Sequence, residues 1–165
     1  MAECFLIRGK ALMELRRYAE AGAMLEPMVR EAPEDMALGA QWGRWLLLQD
    51  RADEALPYLE RAASDPVVGR DAEVHYELGM ARARQGRMRE AGVEFQRAVA
   101  LEPRHYDAWL RLALASFTLG DQAGYEAALA RAAVLPQAAD GRVEQLRRQV
   151  AAAVQSKRPA ALNPR

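Results

Sequence analysis

The sequence has 165 residues and balances 23 Lys and Arg residues against 23 Asp and Glu residues, so its formal net charge is zero. A neutral chain has no long-range field to attract nucleic acid or an acidic membrane surface, and we expect it to bind neither. With 51% hydrophobic and 28% charged residues, the chain can bury a core, which excludes disorder over most of its length. The length fits a single domain.

The single cysteine fits a reducing compartment without requiring one, and the N-terminal residues favour a chain that is not exported. No apolar run approaches the roughly 20 residues that span a bilayer, and the start, MAECFLIRGK, lacks the apolar region of a secretory signal. This favours a cytoplasmic location, or a periplasmic one if an upstream signal has been removed. Cys4 has no second cysteine to pair with, and we interpret it as a small buried side chain. The bias towards Ala and Arg is typical of a GC-rich bacterial source.

Strong helix formers fill the stretches between sparse glycines and prolines, which predicts an all-helical protein without a sheet. A common pattern recurs along the chain. It divides residues 1–156 into units of about 2–35, 36–71, 72–105 and 106–139, followed by a helix over about 140–156. A proline follows the second predicted helix of every unit, at Pro33, Pro66, Pro103 and Pro136. We expect one domain over residues 1–156 and a flexible tail over 157–165.

The unit from Ala72 to His105 shows the pattern most clearly. Its 34 residues place small, aromatic and turn residues in a set order: Leu78-Gly79, Gly86, Ala91, Phe95, Ala98 and Pro103. This order resembles the tetratricopeptide repeat, a helix-turn-helix unit. The resemblance covers about four-fifths of the chain and implies a right-handed α-solenoid of four such units, closed by a C-terminal capping helix.

Small and large side chains are expected to fit together within each unit. Gly79 and Ala98 would let two helices approach closely, while Phe95 and Leu101 fill the space beside them. The second unit has 36 residues, and its surplus is expected in a surface loop over 65–71. The capping helix should bury one apolar stripe, formed by Val143, Leu146, Val150 and Val154.

Catalytic and metal-binding patterns are missing from the sequence, so we expect no enzyme activity, metal or cofactor. No serine lies in a GxSxG or SxxK setting, and no phosphate-binding glycine loop occurs. His75 and His105 have no metal-ligand spacing, and His75 is interpreted as a packing or boundary residue. The charges at Glu90 and Glu94 fit a solvated helix face.

In tetratricopeptide proteins the first helix of each unit lines a concave groove, and the resemblance implies the same here. The groove positions expected to bind a partner are Leu6, Lys10, Met13, Arg44, Leu47, Tyr76, Met80, Arg84, Leu110, Arg111, Leu114 and Phe117. Their apolar members would expose a larger patch than a monomer normally tolerates, which favours a binding surface. Arg44, Arg84 and Arg111 could pair with acidic residues of the partner. The competing interpretation is that part of this stripe is core, or is covered by the capping helix or a second copy of the chain.

One known ligand class of the family is disfavoured. Some tetratricopeptide domains hold the C-terminal carboxylates of heat-shock chaperones through a clamp of Lys, Asn and Arg side chains. The matching positions here are Leu6, Lys10, Gln41, Glu73 and Glu77. The clamp is therefore missing, and Glu73 and Glu77 at these positions would repel a carboxylate.

We therefore expect a non-catalytic protein-interaction module or scaffold that binds a peptide or helical segment of another protein. Two alternatives stay open. One is a secretion-type chaperone that holds apolar segments of its clients. The other is an accessory module of a larger enzyme or envelope assembly complex, whose neighbour would meet Phe5 and Ile7 at the free edge. Homo-oligomerisation also stays open.

Overall fold

The computed structural model describes residues 2–156, and all regular secondary structure within that range is helical. The long helices are α1 (Ala2–Glu14), α2 (Tyr18–Glu31), α3 (Met36–Leu48), α4 (Ala52–Ser64), α5 (Ala72–Arg84), α6 (Met88–Leu101), α7 (Tyr106–Thr118), α8 (Gln122–Ala133) and α9 (Arg142–Ser156). Short 3-10 turns occupy Val68–Arg70 and Pro136–Asp140. The tail expected over 157–165 lies outside the described residues.

The helices form four consecutive hairpins, α1–α2, α3–α4, α5–α6 and α7–α8. The second helix of each hairpin also packs against the first helix of the next one, so each hairpin contacts its neighbours along the chain. This arrangement is an α-solenoid, in which stability comes from hairpin interiors and nearest-neighbour interfaces. The all-helical solenoid expected from the sequence is confirmed.

Local sequence signals set the ends of several helices. The carboxylates of Asp35 and Asp121 accept hydrogen bonds from the backbone N–H groups of Leu38 (3.0 Å) and Gly124 (2.9 Å), which caps the N-termini of α3 and α8. Gly120 follows α7 with a φ of +79°, a backbone conformation that glycine adopts without steric cost. Asp35 lies in the turn between the first two hairpins, and Gly120 and Asp121 lie in the turn inside the fourth.

Glycine permits close helix approach in the α5–α6 hairpin. A Cβ atom added to Gly79 would lie 2.6 Å from the Phe95 ring, too close for any side chain. Phe95 and Leu78 are almost completely buried, as expected. Leu101 differs from its expected role as a core residue: it is the last residue of α6 and is 45% exposed.

The core around Ala98 leaves little space for a larger side chain. Ala98 is fully buried beside Val99 and Ala108, with Tyr76 and Trp109 packed against them. We expect Ala98→Leu to destabilise the protein by about 1–3 kcal/mol, because three added carbon atoms must force neighbouring side chains out of position. Thermal unfolding followed by circular dichroism measures this effect. An unchanged melting temperature would contradict the tight packing, and the exposed change Ala100→Leu is the control.

The extra residues of the second hairpin are held in place more firmly than a free surface loop. The Asp65 carboxylate accepts hydrogen bonds from the N–H groups of Val67 (2.9 Å) and Val68 (2.8 Å). The carbonyl of Gly69 lies 3.0 Å from Nε2 of His75, and a Cβ atom on Gly69 would lie 2.4 Å from the Ala63 carbonyl oxygen. His75 is therefore a buried packing residue, as the sequence indicated, and it joins this segment to α5.

Glu94 is a buried carboxylate, so its predicted place on a solvated face is wrong. Only 1% of the residue is exposed, and its oxygens contact Nδ1 of His75 (2.6 Å), Nη1 of Arg82 (2.9 Å) and Nη1 of Arg97 (2.9 Å). Burial raises the pKa of Glu94, but the His75 hydrogen bond and the neighbouring arginines outweigh that effect and hold the pKa below its ordinary value. Glu90, one turn earlier on α6, is exposed as expected.

The two ends of the solenoid differ. Val143, Leu146 and Val150 of α9 are buried against the last hairpin, while Val154 is exposed, so the buried stripe is one turn shorter than expected. At the other end, Cys4 on α1 is exposed, which corrects its interpretation as a buried residue. Within residues 2–156, no helix has the length and apolar character needed to cross a bilayer.

Candidate functional site

The first helices of the four hairpins form one side of the solenoid, and four adjoining clefts run along it. Cleft 1 lies among α1, α3 and α5 (about 480 Å³), cleft 2 between α3 and α5 (about 160 Å³), cleft 3 beside α5 and α7 (about 370 Å³), and cleft 4 between α7 and α9 (about 350 Å³). Neighbouring clefts share lining residues. Arg44 belongs to clefts 1 and 2, Met80 to clefts 2 and 3, and Leu114 to clefts 3 and 4. The four clefts therefore form one continuous groove.

Carboxylates outnumber cations in the walls of cleft 1. Arg44 contacts two of them, with Nε 3.3 Å from Oε1 of Glu77 and Nη1 3.8 Å from Oε1 of Glu73. Glu73 also lies 3.1 Å from Nε2 of His105, and this hydrogen bond lowers the pKa of Glu73. Because both of its ionic contacts are to glutamates of the groove, Arg44 is less available to a partner's carboxylates than the sequence interpretation assumed.

Glu77 is the least satisfied polar group of this cleft. It is only 6% exposed, and its Oε1 forms no hydrogen bond despite the nearby Arg44. Burial raises the pKa of Glu77 well above its ordinary value, and the positive charge of Arg44 only partly opposes that effect. The amide oxygen of Gln41, in the same cleft, is also buried without a hydrogen-bond partner. Two buried acceptors that receive no hydrogen bond therefore lie in the walls of one cleft, and one of them lies beside Arg44.

The middle of the groove is apolar with an arginine on each side. Tyr76 and Met80 line cleft 2 and are partly buried, and Arg84 lies at the boundary with cleft 3. The Tyr76 ring packs against those of Phe95 (centroids 6.0 Å apart) and His105 (4.9 Å). Burial raises the pKa of the Tyr76 hydroxyl, an effect that the charge of Arg111 opposes. The phenol therefore stays neutral and can donate a hydrogen bond.

Arg111 is the most available arginine of the groove. It is exposed and lines both cleft 3 and cleft 4. Arg84, by comparison, donates to the carbonyl oxygen of Leu47 and lies 3.8 Å from the carboxylate of Asp50. Arg142 of α9 is paired with Asp107 and Asp140. Among the described residues 2–156, no ion pair involves Arg111.

Most of the groove positions expected from the sequence lie in these clefts, but three do not act as expected. Met13 is only 3% exposed and packs with Leu12 and Ala21 in the core of the first hairpin. Leu47 touches cleft 2 but is only 6% exposed, because the second hairpin buries it. Phe117 packs against Tyr125, with ring centroids 5.8 Å apart, and lines none of the four clefts. The remaining positions are Leu6, Lys10, Arg44, Tyr76, Met80, Arg84, Leu110, Arg111 and Leu114, which line one cleft or more.

Residues of the last helix also line the groove, which the sequence analysis missed. Arg142, Gln145 and Gln149 of α9 face Leu110 and Leu114 of α7 across cleft 4. Their spacing of three and four residues places them on one helix face, which was a readable signal. It was overlooked because α9 was treated only as a cap.

The comparison with family models shows what kind of unit builds this groove. The model for the tetratricopeptide repeat matches residues 72–105, the α5–α6 hairpin that shows the sequence pattern most clearly. The chain carries a tetratricopeptide repeat. The resemblance inferred from the sequence is confirmed. A search of curated protein sequences returned no significant match.

Several solved structures have the same fold as this chain. A double mutant of MamA (RS-1) superimposes with a TM-score of 0.67 and 22% identity, over 89% of this chain and 75% of that one. A MamA fragment from Desulfovibrio magneticus RS-1 superimposes with a TM-score of 0.64 and 22% identity, over 90% of this chain and 77% of that one. YrrB is described as a TPR protein with an unusual peptide-binding site. It superimposes with a TM-score of 0.64 and 26% identity, over 76% of this chain and 63% of that one. The likeness to MamA shows the solenoid fold, and the tetratricopeptide repeat supports a protein-interaction module.

Proposed function

We propose that this chain is a non-catalytic protein-interaction module that binds a peptide or helical segment of another protein in its groove. The observation that carries the proposal is the continuity of the four clefts across all four hairpins and α9. A groove that crosses successive helices suits an extended or helical segment better than a compact small molecule.

The middle of the groove supplies the two kinds of contact that such a segment needs. Tyr76, Met80 and Leu114 are partly exposed apolar side chains that a partner's apolar residues can cover. Methionine is unbranched and adapts its shape, which suits a surface that accommodates different side chains. Arg111 can form a bidentate, charge-assisted hydrogen bond with a carboxylate of the partner. The partner segment is therefore expected to combine apolar anchors with acidic residues.

The groove is tested by selecting peptides from a random displayed library and measuring their affinity for the purified chain. We expect the double variant Tyr76→Ala, Leu110→Glu to weaken the selected peptides by about 100-fold, because one apolar anchor is removed and a charge enters cleft 4. Isothermal titration calorimetry provides the measurement.

The matched control is Val93→Glu, which adds the same charge at an exposed position of α6 outside the four clefts. The control should bind like the unmodified chain. Peptides that bind the double variant and the control equally well would contradict the groove proposal. They would assign binding to the other face or to the ends of the solenoid.

A second candidate, the accessory module of a larger complex, is favoured by the exposed apolar side chains of Phe5 and Ile7 on α1 and of Leu15 directly after it. An exposed apolar edge at the end of a solenoid is where a further repeat or a neighbouring subunit packs. The same assay separates the two functions. A partner bound through the edge is lost with Ile7→Asp and kept with Leu110→Glu, whereas a groove ligand shows the opposite pattern.

A further inference from the structure

We propose that cleft 1 is a subsite for a basic side chain, a lysine or an arginine, of the peptide that occupies the groove. This proposal rests on the proposed function of the groove and adds the chemistry and the direction of the bound segment. It assigns cleft 1 the opposite charge preference to the part of the groove beside Arg111.

The first argument is the pair of unsatisfied acceptors. Oε1 of Glu77 and Oε1 of Gln41 are buried in the walls of cleft 1, and neither receives a hydrogen bond. Oε1 of Glu77 lies 3.3 Å from Nε of Arg44 without hydrogen-bond geometry, and a buried acceptor that receives no hydrogen bond is costly. Both atoms are acceptors, so a ligand group that satisfies them is a donor. An ammonium or a guanidinium supplies several N–H donors at one point.

The second argument is the charge of the walls. Four carboxylates line cleft 1, from Asp71, Glu73, Glu77 and Glu102, against the two cations Lys10 and Arg44. Arg44 contacts two of these carboxylates, and Lys10 is exposed on α1. The lining is therefore acidic overall, and a cation gains from it while an anion is repelled.

The third argument is the apolar part of the same lining. Leu6, Val68 and Val74 stand among the carboxylates of cleft 1. A bare metal ion or a small amine leaves such side chains uncovered. A lysine or arginine covers them with its aliphatic stem while its charged end reaches the carboxylates. The cleft, with a volume of about 480 Å³, has room for either side chain.

The charge pattern gives the bound segment a direction. Glu77 lines cleft 1, at the end of the groove that α1, α3 and α5 form. Arg111 lines cleft 4, at the other end, between α7 and α9. A peptide is bound with its basic residue in cleft 1, its apolar residues over Tyr76 and Met80, and its acidic residues beside Arg111. A peptide with the reversed order places like charges against each other at both ends.

The subsite is tested without any partner by titrating the 15N-labelled chain with n-butylammonium chloride and following the side-chain amide of Gln41 by NMR. Sodium chloride at equal ionic strength corrects for screening, and sodium butyrate tests for an anion site. We expect saturable shifts of the Gln41 amide with butylammonium alone. Glu77→Gln and Glu73→Gln should each weaken this binding by about ten-fold, since each removes one carboxylate.

The charge-matched control is Glu126→Gln, an exposed residue of α8 outside the four clefts, which should leave the butylammonium affinity unchanged. Glu77→Gln should also keep its melting temperature, because a neutral amide is easier to bury than a carboxylate. Saturation with butyrate, shifts equal to those of sodium chloride, or equal weakening by Glu126→Gln would each overturn the proposal.

A second measurement separates this proposal from the groove function. A library-selected peptide is compared with a copy whose lysine or arginine is replaced by norleucine. The subsite predicts about ten-fold weaker binding of that copy to the unmodified chain and no difference on Glu77→Gln. If Leu110→Glu abolishes binding but the norleucine copy binds normally, the subsite is wrong and the groove stands. If Leu110→Glu has no effect, the groove itself is wrong.

Discussion

Replacing Glu94 with alanine is expected to destabilise the protein by about 3–5 kcal/mol, because it removes the common partner of the buried groups His75 and Arg82. The carboxylate contacts His75 and Arg82 of α5, both largely buried, so it joins the two helices of the third hairpin. Without it, Arg82 keeps only its 3.3 Å contact with Glu60. Arg97 is mostly exposed, so the loss of its ion pair with Glu94 changes the free energy of unfolding little.

Urea unfolding followed by circular dichroism provides the measurement, and Glu90→Ala is the control. Glu90 lies one turn earlier on α6, and its partner Arg87 is also partly exposed, so its loss should cost no more than about 0.5 kcal/mol. An equal fall in the free energy of unfolding for the two variants would show that Glu94 is not buried in its ion-pair network.

The same carboxylate gives the protein a predictable response to acid. The folded pKa of Glu94 lies below the ordinary value of 4.5 that it has when unfolded. The contribution of Glu94 to the free energy of unfolding is therefore complete at a pH above that ordinary pKa. It is lost as the pH falls through the folded pKa. Glu94→Ala should flatten the loss of stability between neutral and acidic pH. An unchanged pH profile would contradict the ion pairing.

Ending the chain at Gln137 is expected to cause the second large effect, because it removes α9. This helix buries Val143, Leu146 and Val150 against Tyr125 and Leu129 of α8. Each buried valine or leucine contributes about 1.5–3 kcal/mol before the entropy cost of ordering the helix. We expect the melting temperature to fall on the order of 10 °C. The newly exposed apolar end should also promote association.

Differential scanning calorimetry and light scattering measure these two changes. A chain that ends at Ser156 is the control, since it keeps α9 and should match the full sequence. A truncated chain that stays monomeric with an unchanged melting temperature would show that α9 is not a cap. Leu146→Asp tests the same contact in the full-length chain and should shift the melting temperature in the same direction, by a smaller amount.

The repeat pattern was sufficient to predict the solenoid because its determinants are local. Helix-forming composition, turn glycines and the spacing of small and large residues act within about 34 residues. Gly79 and Phe95 come together because one short turn joins their helices. The same periodicity placed Tyr76, Met80 and Leu114 on the groove side of their helices.

Contacts between helices decided the features that the pattern could not show. Glu90 and Glu94 look alike in the sequence, yet only Glu94 meets buried partners, which are 12 and 19 residues away on α5. Met13 and Leu47 follow the groove spacing but are covered by neighbouring helices. The acidic cleft around Gln41 and Glu77 exists only where three hairpins meet. Periodicity reports which face a residue occupies, whereas burial and charge pairing depend on what packs opposite that face.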